Sequence, residues 1–130
     1  MSDPLSALRD ALLNLHKALV ESERVTYEQT IGTISSPNHF LQLLTTDPWF
    51  AWLHPLSQLI VAIDEALDAK EPMTLAVTET LVKQTRLLLV ASPTGEGFSK
   101  HYDDALQRDP DVVLAQAEVA KLLGSRRPPA

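Results

Sequence analysis

The chain contains no cysteine, which excludes disulfide frameworks, thiolate nucleophiles and cysteine-held zinc or iron-sulfur sites, and fits a reducing compartment. Glycine is also scarce, with four in 130 residues. None falls in a Gly-x-Ser-x-Gly elbow, a Gly-x-Gly-x-x-Gly turn or a phosphate loop ending in Gly-Lys-Ser/Thr, so hydrolase and nucleotide-binding motifs of those kinds are missing. Positive charge is short too: 11 Lys and Arg stand against 17 Asp and Glu, a net charge of −6. Two of the cations, Arg126 and Arg127, lie in a Pro-rich tail, and no predicted helix carries a basic stripe, so no nucleic-acid partner is expected. No stretch approaches the roughly 20 apolar residues of a membrane span. The start, Met1-Ser2-Asp3-Pro4-Leu5, lacks a basic region followed by an apolar run, so cytoplasmic residence without a membrane partner is the expectation.

What is present is helical periodicity. Leu5, Leu8, Leu12, Leu15 and Leu19 recur at alternating intervals of three and four, the spacing of one seam on an amphipathic helix. Ser2 or Asp3 can cap it, Asp3 being the expected cap, and Pro4 suits the first helical position because its missing N–H has no partner there in any case. With Leu13, Val20, Tyr27 and Ile34 on a neighbouring line, this first helix is expected to run from Pro4 to about Ile34. Gly32 and β-branched residues weaken its last turn, and Ser35-Ser36-Pro37 ends it.

The same cap-plus-proline device recurs three times more. Ser36-Pro37 opens a crossover helix of about two turns. Asp47-Pro48 opens a helix reaching Leu67; at Pro55, where a backbone hydrogen bond is lost, either the helix kinks or a short turn over Pro48 to Leu53 precedes a new helix, and the kink is the favoured expectation. A fourth helix is predicted from Leu75 to about Val90, and Ser92 to Gly97 reads as a loop. A short helix follows over Phe98 to Gln107. Asp109-Pro110 opens the last, with Val113, Ala117 and Leu123 on its inner face and Gly124 at its end. No alternating strand pattern of useful length appears. The expected fold is all-α: a four-helix-bundle-like single domain over residues 1–124 with a short crossover helix, its main helices 20 to 30 residues long by the extent of their periodicity, and a flexible tail over 125–130.

Chemistry-bearing clusters are few. The four histidines, His16, His39, His54 and His101, come from separate segments, and no Glu-x-x-His pair of the di-iron type exists, so neither a metal nor another cofactor is expected. His101 has Asp103 and Asp104 beside it, which reads as a solvated helix face. Asp64 and Asp68, four apart, read as exposed. Arg86, in an apolar stretch, calls for a carboxylate from another helix, Asp64 being one candidate.

The densest feature is the run Asp47-Pro48-Trp49-Phe50-Ala51-Trp52-Leu53-His54-Pro55-Leu56-Ser57, which holds both tryptophans of a chain with only 5% aromatics. On a helix, Trp49 and Trp52 share one face while Phe50 and Leu53 share another, and both faces are not expected to enter one core fully. As structure, the run is an anchor at the end of the bundle. As function, Trp49, Phe50, Trp52, His54 and Pro55 form a recognition patch with one tryptophan partly exposed. The stretch from Asp47 to Asp64 resembles one in small uncharacterised bacterial helical proteins. That resemblance implies a bacterial origin and a free-standing domain, and carries no activity or site residue with it.

The leading expectation is therefore a non-enzymatic interaction or regulatory protein that contacts a protein partner or a second copy of itself through the leucine seam. The alternatives are a small-molecule binder with a pocket near Trp49, Trp52 and His54, and an enzyme whose acid or base the sequence does not single out.

Overall fold

A computed structural model describes residues 4–70 and 74–124. Six α-helices and one 3₁₀ segment follow in order: α1 (Pro4–Thr30), α2 (Pro37–Thr46), the 3₁₀ segment (Pro48–Leu53), α3 (His54–Asp68), α4 (Leu75–Leu88), α5 (Phe98–Arg108) and α6 (Pro110–Gly124). No strand occurs among the described residues, and the fold is all-α with a bundle-like arrangement. The expected cap Asp3, the Glu71-Pro72 link and the tail 125–130 lie outside the described residues.

The leucine seam organises the molecule. Leu5, Leu8, Leu12, Leu15 and Leu19 are buried, the last three with no exposure at all. They face α6 and α3, with the 3₁₀ segment and α5 completing the cover. Each fully buried leucine contributes roughly 1.5–3 kcal/mol relative to an exposed one, so the seam is the main apolar asset of the core. It is spent inside the chain, and self-association through it is corrected accordingly: no leucine of that line faces outward.

Only α1, at 27 residues, has the length expected of the main helices; the others run from 10 to 15. It also ends earlier than expected, at Thr30. The backbone N–H groups of Ile31 and Gly32 both donate to the Tyr27 carbonyl, closing the last turn. The Ile34 N–H then turns back to Glu28 Oε2 at 3.2 Å.

The cap devices work as their chemistry requires. Ser36 Oγ accepts from the His39 N–H at 3.0 Å, and His39 Nδ1 accepts from the Ser35 N–H at 3.1 Å. Asp47 Oδ1 accepts from the Trp49 N–H at 2.8 Å, and Asp109 Oδ1 from the Asp111 N–H at 2.9 Å. Thr74, not foreseen as a cap, accepts from the Val77 N–H at 3.2 Å. Gly97 enters α5 with φ of 60°, a conformation that a side chain would strain.

Pro55 does not kink a helix. It sits in the first turn of α3, just after the 3₁₀ segment ends. A first-turn proline forfeits no internal hydrogen bond, so the local chemistry favours a fresh start over a bend. The inner face of α6 is also rotated from the expected one. Val112 and Val119 are buried, with Leu122 and Leu123 half-buried, whereas Val113 and Ala117 are exposed. α4 occupies an outlying position: it packs on α3 through Leu81, Val82 and Thr85 and has only marginal contact with other helices.

Candidate functional site

The 3₁₀ segment gathers the aromatic residues of the chain. A 3₁₀ helix has three residues per turn, so positions three apart eclipse one another, and Trp49 lines up with Trp52 as Phe50 does with Leu53. The segment lies among α1, α2 and α5, which bury Phe50, Trp52 and Leu53, while Trp49 stays half-buried, so one of the two lines is only partly covered. Tyr27 meets Trp49 edge-on at 5.7 Å and Phe50 at 5.6 Å, and Phe40 meets Phe50 at 5.7 Å. On the other side Trp52 contacts Phe98 at 5.3 Å and stacks on the His101 ring at 5.3 Å and 19°, while Phe98 reaches Tyr102 at 5.4 Å. Each such pair adds about 0.5–1.5 kcal/mol beyond the area it buries.

Beside Trp49 lies a polar cluster whose members the sequence reading did not single out. Glu23, on α1, is buried, and its two oxygens accept from Trp49 Nε1 at 2.8 Å and from an Arg108 Nη2 at 3.3 Å. Arg108 also donates through Nε and Nη2 to Ser22 Oγ, at 3.1 and 2.9 Å. A small cavity of about 260 Å³ opens here, lined by Glu23, Thr26, Trp49, His101, Asp104 and Arg108. Asp104 is already bound to Lys100 Nζ at 2.8 Å. Glu23 thus ties α1, the 3₁₀ segment and α5 together, and both of its oxygens are engaged. A sequence signal for it existed: extending the seam beyond Leu19 lands on Ser22, Glu23 and Thr26, polar residues at inward positions that demand partners.

The five residues of the expected patch are not brought together. Trp49 alone lines the cavity and is half-buried; Phe50 and Trp52 belong to the core. His54 is exposed, and its Nε2–H donates to the Leu44 carbonyl at 3.2 Å, finishing the end of α2. Pro55 faces a different depression, with Gln58, Leu59, Ala62, Gln84 and Leu88, between α3 and α4. His101 and Asp104 do share the cavity beside Trp49, but Asp64 does not join them; it pairs with Arg9 at 3.1 Å. Arg86, expected to reach Asp64, instead donates to the Leu123 carbonyl at the end of α6. Among the described residues no group of three or more His, Asp or Glu is placed to hold a metal ion, and no helix is long and apolar enough to cross a membrane.

Among several exposed large hydrophobics, which include Leu41 and Leu114, Leu75 and Leu87 of α4 lie on one outward line. Leu75 and Leu87 are each 67% exposed, and Val77 is exposed between them. The line Leu75, Glu79, Lys83, Leu87, spaced by four, forms an outward stripe with the small residues Ala76 and Thr80 beside it, all exposed. Compared with known proteins, the chain matches no family model, no curated protein and no solved structure.

Proposed function

We propose that the protein is a non-enzymatic cytoplasmic interaction protein that self-pairs through α4 as a two-fold homodimer. The observation that carries this reading is the outward stripe of α4 on a helix with only one substantial neighbour. A two-fold interface requires a self-complementary patch, and the stripe is one. Its midpoint lies level with Leu81. In an antiparallel pairing about that level, Leu75 meets Leu87 of the second copy and Glu79 meets its Lys83. The order apolar, acidic, basic, apolar therefore reads as its own complement. Ala76 and Thr80 allow the two helices to approach closely, since interaxial distance follows the size of the contact side chains. The ion pairs, which flank the midpoint between the leucine contacts, supply orientation more than affinity.

Sedimentation or light scattering from micromolar to millimolar protein tests the proposal. The wild type is expected to shift from monomer to dimer with concentration. Lys83→Glu sets like charges against one another and weakens the dimer; Glu79→Lys combined with Lys83→Glu restores it. A wild type that stays monomeric throughout overturns the reading, as does a double variant that behaves no better than the single one.

A further inference from the structure

A second cavity, of about 200 Å³, lies where the C-terminal ends of α4 and α6 converge on α5. Its chemistry is one-sided. Tyr102 lines it and is only 2% exposed, yet its hydroxyl has no hydrogen-bond partner. An unmade hydrogen bond of this kind costs about 1–3 kcal/mol, so folding alone leaves the hydroxyl in need of an acceptor. Burial raises the Tyr102 pKa, which keeps the phenol protonated and donating.

Arg86 lines the same cavity. It is half-buried and donates to the Leu123 carbonyl, but none of the ion pairs among the described residues gives it a carboxylate. A guanidinium carries five N–H donors, and the single carbonyl leaves most of them free. Gln116 adds an amide. The remaining wall is apolar, built from Leu89, Val119 and Leu123. An unpartnered hydroxyl and a guanidinium with N–H groups to spare, beside an apolar wall, describe a receptor for an amphipathic anion.

We propose that this cavity binds a small monocarboxylate with an aromatic or branched apolar body, its carboxylate held by Arg86 and the Tyr102 hydroxyl and its body set against Leu89, Val119 and Leu123. Size supports the class. An apolar cavity of about 150 Å³ accepts benzene, so the volume here suits a benzoate-sized guest. Charge limits the guest to one negative charge: the end of α6 brings the negative pole of a helix to one side of the cavity, which opposes an anion, and the single guanidinium of Arg86 offsets a monoanion but not a phosphate dianion.

Amide-resolved NMR titration of the full chain with benzoate and isovalerate provides the test, with inorganic phosphate and benzyl alcohol as comparison probes. Saturable shifts are expected at Tyr102, Val119 and Leu123 with the two carboxylates and not with the comparison probes. Tyr102→Phe should weaken benzoate binding about tenfold, the usual effect of one hydrogen bond to a charged group, while melting at a higher temperature in the absence of ligand. Arg86→Gln should abolish binding; because Arg86 also tethers α6, its circular dichroism is compared with the wild type, and Arg86→Lys, which keeps the charge, should retain partial binding. The proposal is overturned if benzoate gives no saturable shift at these amides, if phosphate or benzyl alcohol shifts them equally, or if Tyr102→Phe binds benzoate as the wild type does.

Discussion

Glu23 shows how a single polar residue in an apolar line shapes its surroundings. A buried carboxylate requires hydrogen-bonding partners, and these come from two other elements, Trp49 and Arg108. Glu23→Ala strands the indole N–H and removes the carboxylate partner of Arg108, which keeps only Ser22 Oγ. We expect a loss of about 1–3 kcal/mol, discounted for the partial exposure of Arg108, read as a lower urea midpoint; Trp49→Phe in the Glu23→Ala background should then cost less than it does alone. His16 makes a second residue-level prediction. Its Nε2 lies 2.8 Å from Ser57 Oγ, and burial holds the imidazole below its ordinary pKa. The unfolded chain takes up that proton near pH 6.5, whereas the folded chain does so only at lower pH. Its contribution to stability is therefore complete above about pH 6.5 and is lost as pH falls from there through the native value. Urea midpoints measured from about pH 7.5 down to about pH 5 should fall less steeply for His16→Gln than for the wild type. Neither the unpartnered Trp52 Nε1 nor the Tyr102 hydroxyl was legible in the sequence, because a missing partner is a property of the assembled core.

Among the elements, the starts were legible and the faces were less so. A Ser or Asp followed by Pro acts within one turn, so Ser36, Asp47 and Asp109 declare their roles locally. Pro55 was misjudged for the same local reason: a second proline seven residues after Pro48 marks either a bend or a new start, and only the tight 3₁₀ geometry between them decides. The two cases predict different outcomes. A proline within a helix, replaced by Ala, restores a hydrogen bond and stabilises the chain. A proline in the first turn stiffens the unfolded state at no native cost, so Pro55→Ala should lower stability by about 0.4–1 kcal/mol, a difference that thermal unfolding resolves. Ser36→Ala should cost about 1 kcal/mol. For α6, both Val112 and Val113 sit on apolar lines, and the choice between them belongs to the seam of α1 that receives them.

Across the whole molecule, α1 is the hub and α4 the outlier. Leu12→Ala empties a fully buried position and is expected to cost about 2–5 kcal/mol, destabilising every helix together, since α1 touches most of them. Loss of α4 from the bundle removes its packing on α3 and the Arg86 contact with the end of α6, and leaves the seam of α1 covered. Regions with few buried apolar contacts open by themselves at a fraction of the global free energy, so native-state hydrogen exchange should show α4 amides exchanging well before those of α1 and α3. Self-pairing adds a condition to that order. If a second copy covers the Leu75 to Leu87 stripe, closing the dimer stabilises the docked helix by mass action, and protection of α4 should rise with protein concentration while that of α1 changes less. Lys83→Glu should erase this concentration dependence and leave the dilute-limit exchange rates as they are. An α4 whose protection is the same at low and high concentration would sever the link between its outlying position and self-association.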